Sequence, residues 1–158
     1  MDHMRFISET TLSVTSILLA GGLLAFPLTA IGQEANDQQQ LRSLGRCEGC
    51  DFKELDLEGR RLTSLDLSGA TLTSVDFANA KLNIAIFDNA RLENVSFDSA
   101  DLGGASFTGA TLINVSLDGA DLTGAVFEDA ILEGTDLDEA HLCFTQMPDG
   151  ITGNTDCN

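Results

Sequence analysis

The sequence predicts an all-β solenoid: a chain that turns a corner every five residues and returns to the same face every twenty. Two periods carry this expectation. Every fifth residue from Phe52 to Met147 is Leu, Phe or a closing Met, over twenty consecutive positions. Identities also recur at twenty, as in Phe87, Phe107 and Phe127, in Phe77 and Phe97, and in the unbroken run Leu62, Leu82, Leu102, Leu122 and Leu142. A helix would need apolar spacings of three and four and a flat strand a spacing of two, so neither fits. The composition agrees: 158 residues with no Trp or Tyr, 2 Pro and 15 Gly suit one turn-rich domain and exclude a large multidomain enzyme.

Taken in order, the chain opens on MDHMRFISET and an apolar stretch, TLSVTSILLAGGLLAFPLTAIG. This has the form of a secretory signal peptide over residues 1–32, with small residues at Ala30 and Gly32 placing cleavage before Gln33. The competing reading is an uncleaved anchor from Val14 to Gly32, a length of about 19 residues that could just span a bilayer. Cleavage is preferred because Gly21, Gly22 and Pro27 interrupt the stretch and a polar linker, QEANDQQQ, follows it. The mature chain then has seven bases against 23 acids, a charge of −16. Residues 33–51 form the linker and an N-terminal cap, in which Asn36 or Asp37 can start a short helix through Arg46 that lays Leu41 and Leu44 on the first coil.

The solenoid proper runs over residues 52–147. Two residues before each large side chain stands a smaller one, among them Ala70, Val75, Ala80, Ala90, Val95, Ala105, Val115 and Ala125. Large and small residues both point into a narrow core, and the remaining three positions of each five face out or turn. The two Phe columns are offset by ten residues, half a coil, which sets them on opposite faces. A coil rises by one strand spacing of about 4.8 Å, so roughly five coils make a rod about 24 Å long. The first coil is irregular, with Arg60 where later coils have Ala and with the larger Leu55 and Leu65.

The stretches ATLTS (Ala70–Ser74), ARLEN (Ala90–Asn94), ADLGG (Ala100–Gly104) and ADLTG (Ala120–Gly124) resemble the pentapeptide-repeat motif, Ala-(Asp/Asn)-Leu-x-x. The resemblance implies that family's fold, a right-handed quadrilateral β-helix with twenty residues to the coil. The C-x-G-C entry at Cys47–Cys50 and the M-P-D-G exit at Met147–Gly150, followed by Cys157, are similar to exported members of cyanobacterial type. That similarity implies periplasm, thylakoid lumen or another extracellular space. Some members of the family are acidic rods that mimic duplex DNA and bind type II topoisomerases, and this is the alternative functional reading.

Residues 148–158 form a polar tail opened by the turn Pro148-Asp149-Gly150. Four cysteines allow three pairings. A bridge needs Cα atoms within about 7 Å, and most of the rod separates Cys47 and Cys50 from Cys143 and Cys157. The expected pairs are therefore Cys47 with Cys50 and Cys143 with Cys157, the second stapling the tail over the open end. The same separation rules out a zinc site drawn from Cys47, Cys50, His141 and Cys143. No thioredoxin-like setting surrounds the C-x-x-C pair, which reads as structural.

Charge bounds the function. All eight Lys and Arg lie at or before Arg91, while Glu93 to Asn158 carry thirteen carboxylates and no strong base, which disfavours nucleic-acid binding. One side of the coil presents Asp56, Glu58, Asp76, Asp98, Asp118, Asp136 and Asp138 outward, an interaction stripe for a partner with a basic surface or a weak divalent-ion ladder, weighed against a merely solubilising face. Outward Ile86, Ile113, Val126 and Ile131 form a small contact patch or lie beneath the tail. His141 occupies a solvated outward slot, and the sequons at Asn94 and Asn114 are by-products of the repeat. A core filled by Leu, Phe and Ala leaves no pocket for a substrate. The reading is a non-enzymatic, exported, monomeric structural or protein-interaction module. It needs no cofactor or metal and has no membrane contact after cleavage.

Overall fold

The computed structural model describes residues 45–157. The expected signal segment and most of the N-terminal cap lie outside the described residues. Strands β1 (Asp51–Lys53), β2 (Thr71–Thr73), β3 (Arg91–Glu93), β4 (Thr111–Ile113) and β5 (Ile131–Glu133) pair in parallel in chain order. Their register steps by twenty, Phe52 to Leu72 to Leu92 to Leu112 to Leu132. Three further ladders of single parallel bridges complete the coil. They run Asp56–Asp76–Ser96–Ser116, Arg61–Lys81–Asp101–Asp121–His141 and Arg46–Asp66–Ile86–Ser106–Val126–Gln146. Four ladders spaced five residues apart make each turn four-sided, and the five strands of the main sheet enclose about four turns.

The repeat count predicts about five coils; the regular solenoid makes about four turns because the next pass of the chain does not continue the sheet. The position twenty beyond Leu132 falls in β7 (Thr152–Gly153), which pairs antiparallel with β6 (Thr145–Gln146). There is no helix among the described residues. At the end of the expected cap, Arg46 is bridged to Asp66 and Gly45 accepts the Asp66 N–H at 2.9 Å, so backbone pairing with the coil above holds this stretch extended.

The corners explain the five-residue period. The residue two after each large side chain from Phe52 to Leu132 takes a left-handed conformation, with φ of +66° at Gly69, +58° at Asn79 and +57° at Ser99. Gly tolerates this freely and Asn better than most. On the tight corners the next N–H then bonds back three residues, as from Ala80 to the Phe77 carbonyl at 3.0 Å. Such a turn carries the small residue inward, where Ala70, Ala80, Ala85 and Ala110 are wholly buried.

The core is a pair of aromatic stacks. Phe77 and Phe97 lie parallel at 5.2 Å, as do Phe87 and Phe107 at 4.9 Å and Phe107 and Phe127 at 4.7 Å. The stacks meet across the axis edge-to-face, with Phe87 and Phe97 centroids 5.5 Å apart. Both geometries suit the ring quadrupole, and the columns expected on opposite faces touch through the middle of the rod. In the first coil Leu65 is buried, Leu55 half-buried and Arg60 exposed.

Candidate functional site

The acidic stripe follows the second ladder. Asp56, Glu58, Asp118, Asp136 and Asp138 are exposed, and Asp76 and Asp98 are half-buried. Position within the repeat decides what each carboxylate does. Those just before a large core residue turn back onto their own corner: Asp56 accepts the Glu58 N–H at 3.0 Å, Asp76 the Ala78 N–H at 2.8 Å and Asp136 the Asp138 N–H at 3.4 Å. These are corner clips. Asp98, just after a core residue, accepts from the Ser116 hydroxyl of the next coil. At the first two coils the carboxylate oxygens of Asp56, Glu58 and Asp76 come within 4.8 Å of one another, an arrangement able to share a cation.

The stripe is not one even ladder. Its bridges stop at Ser116, and the Gly119 N–H goes to the Glu139 carbonyl, a step of twenty, where Ser99 reaches Asp118 in nineteen. The cause lies at Thr135, which stands where earlier coils have Val75, Val95 and Val115. Its hydroxyl accepts the Val115 N–H at 2.9 Å, and the chain takes one more residue before the backbone pairs again at Glu139. A shallow open groove results, lined by Asn114, Ser116, Asp118 and Asp136. Asp136 and Asp138 are thereby set apart from the rest of the stripe.

The clip recurs elsewhere with electrostatic consequences. The Ser68 hydroxyl at 2.7 Å, the Ser68 N–H and the Arg46 guanidinium at 3.1 Å hold the Asp66 carboxyl below its ordinary range, against a smaller effect of burial. Asp121 is lowered by the Thr123 side chain first, then by the Thr123 N–H and the His141 charge. Asp101 clips Gly103 in the same way, whereas Asp88, like Asp98, reaches across to the next coil, where it accepts the Ser106 hydroxyl and the Thr108 N–H.

The cysteines pair within each end. Cys47 and Cys50 are bonded with Cα atoms 5.6 Å apart, and Cys143 and Cys157 with Cα atoms 4.9 Å apart. Cys47 and Cys50 take the large and small inward slots of one more five-residue unit and are buried, so that this bridge belongs to the core. With all four cysteines bonded, the residues of the rejected zinc set stay divided between the two ends. At the far end the tail occupies the place of a further coil. The Asp156 N–H reaches the Leu142 carbonyl at 3.0 Å and its carboxylate accepts the Leu142 N–H at 2.9 Å. That backbone bond and the Thr155 hydroxyl hold the Asp156 carboxyl below its usual range, with His141 Nδ1 4.0 Å away.

The apolar departures fall in two places. Ile113 and Ile131 lie on β4 and β5, while Ile86 and Val126 lie on the fourth ladder, so the four do not form one patch. Beside Ile151 on the tail, the exposed apolar residues that escaped the sequence reading are Ile84, 56% exposed, and Phe144, 69% exposed. The available signal was positional, because both stand at the left-handed corner, at φ of +53° and +54°, where the repeat otherwise favours Gly, Asn or Ser.

Comparison with known proteins places these observations. A family model described as pentapeptide repeats matches eight copies over residues 50–89, 76–112, 85–124 and 105–142. Among solved structures the chain is similar to HetL, a pentapeptide repeat protein involved in heterocyst differentiation regulation from the cyanobacterium Nostoc sp. strain PCC 7120. The identity is 32% and the TM-score 0.65, over 68% of this chain and 51% of HetL, so the chain spans about half of HetL's length. It is also similar to a pentapeptide repeat protein of the Arabidopsis thaliana thylakoid lumen, at 31% identity and a TM-score of 0.58, over 69% of this chain and 72% of that one. No curated protein matches the sequence.

Proposed function

The chain belongs to the pentapeptide-repeat family, and from that premise we propose that it is a non-enzymatic, exported, monomeric protein-interaction module that works through its outer surface. The observation that carries this reading is the filled interior. Phe77, Phe87, Phe97, Phe107 and Phe127 are wholly buried and stacked along the axis, so recognition falls to the exterior. That exterior is acidic, and an uncompensated negative field draws a basic partner and speeds its encounter. Within the stripe, Glu58, Asp118 and Asp138 are the carboxylates free of corner duty and the ones through which such a partner is held. A shared cation at Asp56, Glu58 and Asp76 belongs to the same reading as a second use of the stripe.

Export is supported by the leader-like residues 1–32, by the two disulfide pairs, which suit an oxidising compartment, and by likeness to a thylakoid-lumen protein. Cleavage before Gln33, from the small residues Ala30 and Gly32, a helical N-terminal cap, from Asn36 or Asp37 with Leu41 and Leu44, and a right-handed coil, from the family resemblance, complete the proposal. The first test is the intact mass and free-thiol count of the protein from a fractionated native host. A chain starting at Gln33 with no free thiols in the exported fraction is expected. A full-length, reduced chain in the cytoplasm overturns export and turns attention to the DNA-mimic alternative, for which the charge of −17 speaks. The second test uses the E58Q/D118N/D138N variant as bait in that fraction, where salt-sensitive capture of the partner should drop.

A further inference from the structure

We propose that a second docking surface, a trough along the corner formed by Ile84, Gly104, Gly124 and Phe144, binds an extended protein segment that carries an aromatic or long aliphatic side chain between basic residues. The proposal rests on the interaction-module reading and gives it a specific surface and partner chemistry. The four corner residues stack, since the N–H of Ile84 reaches the Gly103 carbonyl at 2.9 Å, that of Gly104 the Thr123 carbonyl at 2.8 Å and that of Gly124 the Cys143 carbonyl at 2.7 Å. All four corners are left-handed, with φ of +53°, +67°, +68° and +54°. In the middle two the chain uses the residue that conformation favours. At the outer two it holds a β-branched and an aromatic side chain, which resist that conformation, and leaves them 56% and 69% exposed to water.

Neither choice serves the folded monomer. Glycine at both positions would relax the backbone and remove apolar surface from water, so the two side chains are explained by contact with something else. Between them Gly104 and Gly124 carry no side chain, so the corner lies low between two raised ends. Ile84 leans over Gly104, its Cγ2 lying 3.3 Å from where a Cβ would be, whereas a Cβ on Gly124 would meet nothing within 4 Å. Three coil steps, about 14 Å, separate the two ends. Beside the floor, Ile86 and Val126 on the adjoining ladder widen the apolar strip.

The occupant follows from the rims. One flank carries Asp101 and Asp121 and the other Asp88 and Glu128, all outward and all on coils that the trough crosses. Asp101 and Asp121 are fixed in place by their corner clips, and Asp88 by its bonds to Ser106 and Thr108 of the next coil. Lys81, at the Ile84 end, is the one Lys or Arg on these flanks. An apolar recess between two fixed rows of carboxylates selects a basic–apolar–basic segment, by burial for the central side chain and by charge for its neighbours.

The test measures fluorescence anisotropy of two labelled twelve-residue peptides at physiological salt, one alternating Lys with Phe and one with every Phe replaced by Ser. Wild type should bind the Phe peptide at least tenfold more tightly than the Ser peptide. I84G/F144G should lose that preference while keeping the weak, salt-sensitive binding of both peptides, and should melt no lower than wild type. E58Q/D118N/D138N should keep the preference. No preference in wild type, or one that survives in I84G/F144G, overturns the trough and leaves the stripe reading standing. Loss of the preference in the stripe variant alone moves the docking surface to the stripe.

Discussion

Single residues matter here according to their place in the five. Phe107 stacks on Phe87 and Phe127 and meets Phe97 edge-on, so Phe107→Ala removes three ring contacts from a wholly buried position. A loss of about 3–5 kcal/mol is expected in denaturant unfolding, and Phe107→Asp should leave the middle coils unfolded. Gly109 shows the opposite sensitivity. Its φ is +66° and an added Cβ would lie 2.8 Å from Asn89 Oδ1, so Gly109→Ala should cost about 1–2 kcal/mol although it removes nothing. Both effects were legible in the sequence as to direction, because Phe107 falls in the large column and Gly109 at a corner. The close approach of Asn89 was not, since it depends on how the side chain of one coil leans over the next.

At the scale of an element, the tail is the least periodic part and the most dependent on specific bonds. The Cys143–Cys157 bridge closes a fourteen-residue loop, worth about 3 kcal/mol in the chain-entropy model. The C143S/C157S variant should lose stability of that order and exchange the amides of β6 and β7 faster, while those of β2 to β4 stay protected. Asp156→Asn should weaken the same clasp to a smaller degree, because an amide oxygen accepts the Leu142 N–H less strongly than a carboxylate. The sequence placed a turn at Pro148 and paired the cysteines as the structure does. It did not show β7 running antiparallel to β6, nor Asp156 standing in for a missing coil, since both arise only where the repeat ends and unpaired backbone needs another partner.

For the whole molecule the acids set the response to pH. Asp66, Asp121 and Asp156 have folded values below the ordinary 3.8, so each contributes stability that is present above 3.8 and lost as pH falls through the folded value. Unfolding followed from pH 7 downwards should therefore show an acid limb that begins below about pH 4, and a shallower one in an Asp66→Asn/Asp121→Asn variant, which lacks two of the groups that titrate there. The family, the all-β solenoid, the twenty-residue coil and the inward Phe columns were determined by the sequence itself, because a buried position repeated at fixed spacing leaves its mark on every coil. Tertiary structure alone decided the rest. It divided one apparent stripe of seven carboxylates into corner clips and free charges, lengthened the step after Thr135 by one residue, and stacked Ile84, sixty residues away, on one corner with Phe144. Each of these depends on which atoms of successive coils meet across a few ångströms, and a period read along the chain does not contain that distance.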